Sequence, residues 1–500
     1  MSGQPPTGAG VDAGLLAPVW AGPSAADLLT DEAYVRAMAE VEVALLRAQC
    51  HLGIVPQWVI PVVAAAADTA LDVTALAAAA RGAANPVVPF VEALTNQVRA
   101  VDPAAAEYVH RGGTSQDILD TATMLIAGRV LRVVRADLDA IVVASAALAA
   151  DHRLTPMAGR TLTQHAVPIT FGVKAAGWCN SVLDARERLD AVLATGLPVQ
   201  LGGAAGTLAA YAEYAALAGV PPTDSPLSLV EPFARELGMT APVVPWHSLR
   251  APVAGIGAVT SLVTGTLGKV AIDVQGMART EVGEVAEPAR AGRGVSSAMP
   301  QKRNPVLATL IVSAARQVPA HAMLLHQCLL AEDERSAGGW HAEWYPMREC
   351  LRLTAGASAT ARELLGGLEV RADRMRHNLT LTGGAVVAER INAVLSQVLD
   401  RGEVKKLLGR IARSAVRQGR DFGDVLVDDP ELQTASVQAT VAEAGGWEQL
   451  LDPSRYLGAS AEIVGVVLRR CGVAVVGAGG DAATRADDGA VAGVLRSRPA

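Results

Sequence analysis

The sequence predicts an all-α protein on three observations: apolar residues recur at helical spacing through six long stretches, strand-like alternation is scarce, and polar turns bearing Gly or Pro separate the stretches. Hydrophobic residues make up 51% of the 500, yet aromatics only 3%, so Ala, Val and Leu must fill the core, which suits close helix-helix contact. The first stretch runs from Asp31 to Leu52, with Val35, Met38, Val41, Val43, Leu45 and Leu46 on the helical period and Gly53 and Pro56 as its stop. The same period predicts helices over Thr121–Ala150, Ile169–Thr195, Val253–Met277, Pro305–Leu330 and Met347–Leu368.

Within the fourth stretch, Ala251 to Gly268 is almost free of charge and long enough to suggest a membrane span. Thr260, Ser261, Thr264 and Thr266 interrupt it, and no aromatic belt or basic cluster flanks it. It reads as a helix enclosed by other helices. Composition shifts near Arg111 and Leu368 divide the chain into an N-terminal helical domain (1–112), a central long-helix bundle (113–368) and a C-terminal domain of shorter, more charged helices (369–472). A Gly-, Ala- and Asp-rich tail (473–500) follows. Its Gly477-Ala478-Gly479-Gly480 lacks the strand and helix of a dinucleotide-binding unit and reads as a flexible end.

The net charge of −7 is mildly acidic, and no Lys/Arg block with interleaved aromatics appears, which argues against nucleic acid as a partner. Cys50, Cys179, Cys328, Cys350 and Cys471 lie far apart in sequence with no metal-ligand spacing, and read as buried thiols of a reducing cytoplasm. Met1 to Gly22 lacks the basic and apolar regions of a signal peptide, so the expected location is cytoplasmic.

Four polar islands break the helical pattern. The run from Gly294 to Pro305 puts Ser296, Ser297, Lys302 and Asn304 on a loop, behind Gly292 and Gly294, which let it close over a ligand. A base that takes a weakly acidic proton beside a carboxylate needs fixed donors where charge then gathers, and Lys302 and Asn304 are such donors. By residue type alone, the run also fits a polar surface turn. His110-Arg111-Gly112-Gly113-Thr114-Ser115-Gln116-Asp117 precedes an apolar helix, as an anion nest or as a helix cap. Gly159 to Pro168 opens a further helical stretch and carries His165, the one side chain there that titrates near neutral pH. Glu334-Arg335-Ser336, with Trp340-His341-Ala342-Glu343-Trp344, breaks a helical region late in the chain; Arg335 suits bidentate carboxylate recognition or a surface ion pair.

Taken in order, these islands resemble the fumarase/aspartase superfamily over roughly residues 30 to 470, and within it the branch of bacterial 3-carboxy-cis,cis-muconate cycloisomerases. The residues that carry the likeness are Thr114 to Asp117, Gly159-Arg160-Thr161 with Gln164-His165-Ala166, Gln200 to Ala204 with Gly206, Pro245-Trp246-His247, Glu284-Val285 with Glu287-Pro288, Ser296 to Pro305, Glu334 to Ser336, Trp340 to Trp344 and Tyr456-Leu457-Gly458. The resemblance implies a three-domain all-α subunit in a homotetramer whose active sites each draw segments from three subunits. It implies Ser296 as the base, Lys302 and Asn304 as the groups that hold the carboxylate turning into an aci-carboxylate, and His165 as the candidate acid. Substrate contacts carried over are His110, Thr114, Ser115, Arg160, Gln164 and Arg335. The substrate class is a small di- or tricarboxylate, and no metal or organic cofactor is required.

Three departures bear on the substrate. Leu162 stands where many relatives have a histidine, leaving His165, expected to share a helix face with it, as the candidate donor or leaving-group contact. Arg250 is followed by Ala251-Pro252 where relatives continue with an acid and a base, and Gln301 and Val295 replace other residues in the loop. Fewer charges suggest a substrate other than a tricarboxylic muconate. Two enzyme readings follow. One is β-elimination from a 2-substituted succinate to fumarate, as in the nitrosuccinate lyases of this branch, which belong to secondary metabolism and release nitrous acid. The other is the lactonising cycloisomerase. A catalytically silent structural protein, as among lens crystallins, is the reading from another class.

Overall fold

The computed structural model of this chain describes residues 14–23, 25–221, 225–296 and 298–472. Helix α1 (Asp31–His51) leads into a body of five long helices: α2 (Ser115–Asp151), α3 (Phe171–Thr195), α4 (Ala251–Met277), α5 (Val306–Gln327) and α6 (Gly339–Gly366). Helix α4 packs on α5, α5 on α6, and α2 on both α3 and α6. Helix α7 (Ser460–Arg470) then lies on α3 and α2. One core, rich in Ala, Val and Leu, runs through this body, and a separate cluster gathers Leu379, Ile391, Leu408, Phe422 and Leu450. The tail at 473–500, with Gly477 to Gly480, and the first 13 residues lie outside the described residues.

The bundle has two ends. Helix α2, at 37 residues, is roughly 55 Å long. Its N-terminus meets the segments around Gly202, His247 and Arg335. Past its C-terminus, strand β1 (Pro156–Thr161) pairs antiparallel with β2 (Gln164–Thr170), and Arg160 of β1 reaches Glu284, just beyond the end of α4. The short strands β3 (Val285–Ala286) and β4 (Glu369–Val370) pair at that same end.

Two expectations change here. The segment from Gly159 to Pro168 is a hairpin, not a helix start: Leu162 and Thr163, at φ 48° and 70°, form a two-residue turn between the strands. Neither residue is a habitual turn former, so the usual signal is absent. A Cβ at Gly159 would stand 2.6 Å from the Val167 carbonyl, so glycine is what allows the strands to close at this irregularity. Leu162 is therefore 95% exposed at the hairpin tip and shares no helix face with His165. Helix α6 also begins at Gly339, ahead of the expected Met347, so Trp340 to Trp344 start a helix and do not break one. Burial of Trp340 offsets the donor missing at Pro346.

Helix α4 is long and apolar enough to cross a membrane by length and composition, with 56% of its most apolar window buried inside the chain. Thr260 and Thr264 return their hydroxyls to the Ile256 and Thr260 carbonyls at 2.8 Å, which is how a polar side chain fits an apolar helix face. Its uncovered positions, Ala258, Leu262, Gly265, Lys269 and Ile272, fall on one stripe at alternating spacings of four and three. Three of the five cysteines are buried, whereas Cys50 and Cys471 are half-buried, and packing of α7 on α3 brings Cys471 beside Cys179.

Candidate active site

At the first end of the bundle, Thr114 caps α2, and its backbone N–H donates to Asp117 Oδ2 at 3.2 Å. The fully buried Asp117 also accepts from the Gly202 and Gly203 backbone N–H groups at 2.8 and 3.0 Å and from His247 Nε2 at 3.0 Å. One carboxylate thus ties two chain segments to the start of α2. Arg335 donates to Thr114 Oγ1 at 2.6 Å and to Gln116 Oε1 at 3.2 Å, so it is joined to the start of α2 and is not paired with Glu334. His110, held at φ 56°, donates from Nδ1 to the buried Glu42 at 2.6 Å. Burial alone would lower the His110 pKa, but the charge and hydrogen bond of Glu42, with Asp117, raise it on balance. Ser115 occupies the first turn of α2, half-buried.

Behind this face, Arg250 is buried between Asp120 and Glu343, donating to Asp120 Oδ2 at 2.7 Å and to Glu343 Oε1 at 2.9 Å, while Trp340 Nε1 donates to Asp120 Oδ1 at 2.9 Å. Arg250 therefore locks α2, α4 and α6 together, and the following Ala251-Pro252 begins α4, where a missing N–H costs nothing.

At the opposite end, Arg160 and His165 face each other across the hairpin. Arg160 makes a bidentate pair with the fully buried Glu284, at 2.7 and 2.9 Å, and Asn378 adds a donor to Glu284 at 2.8 Å. Burial, then the positive charge of Arg160, push the His165 pKa down, with Glu284 opposing. A neutral imidazole is thereby favoured, and its buried Nδ1 has no hydrogen-bond partner among the described residues. Gln164 is exposed beside it.

The loop carrying Ser296, Lys302 and Asn304 emerges at this end too, ahead of α5. Glu287 caps α5, accepting from the Leu307 and Ala308 N–H groups at 3.0 and 2.8 Å. The loop neck is closed by Asn304, whose backbone N–H and Nδ2 both donate to the Gly294 carbonyl, at 2.9 and 3.3 Å. Gly294 has φ 65°, and a Cβ there would lie 2.6 Å from the Asn304 carbonyl, so the close approach requires glycine. Ser296 Oγ accepts from the Met299 and Ala298 N–H groups at 3.2 and 3.4 Å. Lys302 extends into solvent without an ion-pair partner among the described residues.

Within one chain, then, His110, Thr114, Ser115 and Arg335 gather at one end, and Arg160, Gln164, His165, Ser296, Lys302 and Asn304 stand at the other. The supporting carboxylates Glu42, Asp120, Glu284 and Glu343 were not singled out as partners from sequence. Glu42 carried a signal: an acid inside the apolar run from Val41 to Leu46 must find a buried donor.

A family model described as "Lyase" matches residues 25–320, and one described as "Adenylosuccinate lyase C-terminus" matches residues 384–467. A nitrosuccinate lyase from Streptomyces davaonensis is 56% identical over 462 residues, covering 92% of this chain and 95% of that protein. A 3-carboxy-cis,cis-muconate cycloisomerase from Pseudomonas aeruginosa is 40% identical over 434 residues, covering 86% and 90%. The crystal structure of the 3-carboxy-cis,cis-muconate lactonizing enzyme from Pseudomonas putida superposes with a TM-score of 0.82 at 35% identity, covering 92% of this chain and 99% of that one.

Proposed function

Because this chain belongs to the lyase family of the fumarase/aspartase superfamily, we propose that it eliminates nitrous acid from 2-nitrosuccinate to give fumarate. The observation that carries the reading is the 56% identity, across nearly the full length of both chains, to a nitrosuccinate lyase, against 40% to a muconate cycloisomerase. The cycloisomerase reading is correspondingly less well supported.

In the proposed reaction Ser296 takes a proton from C3, the electron pair of that C–H bond moves onto the adjacent carboxylate, and the resulting aci-carboxylate expels nitrite from C2 as the double bond forms. Free serine is far too weakly acidic to serve as its own alkoxide, and the two backbone N–H groups on Ser296 Oγ are suited to stabilising one. Lys302 and Asn304 supply donors to the carboxylate as its charge doubles. Thr114, Ser115 and Arg335, with His110, Arg160 and Gln164, hold the substrate carboxylates; Arg160 does so with part of its guanidinium already committed to Glu284. The lone Nδ1 of His165 faces the nitro group, a leaving group that needs little protonation.

Such a site needs more than one copy of the chain, because the two sets of residues stand a helix length apart. The homotetramer expected from the family brings them together, and the uncovered stripe of α4 is the face that would be covered. The 1–112, 113–368 and 369–472 division is retained as part of this reading, with the central bundle as the assembly core. The test is to follow fumarate and nitrite from 2-nitrosuccinate beside lactone from 3-carboxy-cis,cis-muconate. Equal fumarate and nitrite is the expected result; lactone alone would overturn the reading.

A further inference from the structure

Helix α7 ends against the side of α3, and there the sulfurs of Cys179 and Cys471 lie 3.2 Å apart although 292 residues separate them in sequence. We propose that Cys179 and Cys471 are a redox-responsive thiol pair, which hydrogen peroxide closes to a disulfide that fastens the C-terminal helix to the central bundle. Both cysteines are free thiols. An S–S bond is about 2.05 Å long, so closure asks the two sulfurs to approach by about one ångström.

The pair is asymmetric in a way that orders the chemistry. Cys179 is fully buried in α3, with the Val142 carbonyl of α2 3.7 Å from its sulfur. Cys471 is half-buried at the end of α7, within reach of a small oxidant. Arg470 is anchored on Asn180 and Glu187 of α3, and Arg186 keeps a buried Nε with no hydrogen-bond partner among the described residues, so two guanidinium groups stand beside the thiols. The hydrogen bond from Cys179 lowers the Cys471 pKa to about 7 against the opposing effect of burial, with Arg186 and Arg470 assisting, whereas the same hydrogen bond and burial raise that of Cys179.

The reaction balances without a further reagent. The Cys471 thiolate attacks one oxygen of hydrogen peroxide, the O–O bond breaks, and the departing hydroxide takes a proton to become water, leaving a sulfenic acid. Cys179 then loses its proton and attacks the Cys471 sulfur. The S–O bond breaks, the S–S bond forms, and the expelled hydroxide leaves as a second water with the Cys179 proton. Two thiols are oxidised by two electrons, and the peroxide is reduced to two waters. Reversible bonds of this kind are the ones expected where reducing conditions prevail. What the bond would hold is the base of the hairpin: Arg153, between α2 and β1, donates to the Ala461 carbonyl of α7 at 3.1 Å, and α7 also touches β2.

The experiment treats the reduced full-length protein with hydrogen peroxide, blocks remaining thiols, and maps peptides without reduction. We expect a Cys179–Cys471 cross-link lighter by two hydrogens, and a Tm higher than that of the reduced protein by roughly 2–5 °C. Dithiothreitol should reverse both. Cys471→Ser should abolish both, and Cys328→Ser neither. Because a Cys179 variant risks misfolding, the half-buried Cys471 is the position to change. The proposal is overturned if both thiols remain alkylatable after peroxide, if Cys471 proceeds to sulfinic acid without a cross-link, or if the cross-link forms with no rise in Tm.

Discussion

In the proposed reaction an ordinary hydroxyl, that of Ser296, acts as the base, and the two backbone N–H groups on its Oγ are the donors available to support it. Ser296→Ala should lower kcat for nitrite release by at least about a hundredfold while the oligomer persists by light scattering; near-normal turnover would remove it from the base role. His165→Ala should slow release of nitrite by less than about tenfold, since a good leaving group needs little acid, and a larger loss would make His165 an obligatory donor. His110 gives a pH signature. Its folded pKa is raised above 6.5, so the contact with Glu42 contributes stability that is complete below that value and lost as pH rises through the raised pKa. The Tm difference between the parent and Glu42→Gln should therefore be greatest in mildly acidic buffer and shrink on the alkaline side; a difference that grows with pH would contradict the assignment. The residues of the islands were legible because hydroxyl, amide and ammonium groups stand out in an apolar chain. Their partners were not, since Glu42 and Glu284 lie 68 and 124 positions from His110 and Arg160.

At the scale of elements, the Ser296 loop depends on Gly294. Gly294→Ala meets both a positive φ and the Asn304 carbonyl, so kcat should fall at least about tenfold while Tm changes little, because the loop hangs outside the core. A fully active variant would show that the neck need not be closed. Arg250→Met should instead act on stability, leaving Asp120 and Glu343 buried without their cation at a cost of about 3–5 kcal/mol by denaturant titration. The long helices were legible from their periods: α4 was expected over Val253–Met277 and runs from Ala251 to Met277. The β1–β2 hairpin was not, because Leu162-Thr163 carries no turn signal and the left-handed backbone there is imposed by the strands on either side. The start of α6 was hidden by Pro346, which reads as a helix boundary until the burial of Trp340 is known.

For the whole molecule, the shared-site assembly proposed here predicts rescue. Arg335→Ala and Ser296→Ala proteins, each inactive, should regain activity when unfolded and refolded together in equal amounts, with about a quarter of sites drawing only intact segments. No recovery would mean that each chain builds its site alone. The uncovered stripe of α4 predicts that Leu262→Asp yields lighter, inactive species on a sizing column. Assembly was not legible from helical periodicity, which says that a face is apolar and not whether the same chain covers it. The length of α2 has a genetic corollary. A copy damaged at both ends is not a silent passenger, because it spoils sites that its intact neighbours would otherwise complete. If each site takes its two ends from two copies, as proposed, equal expression of such an allele beside the normal one would leave roughly one site in four working, so the allele would behave as partly dominant.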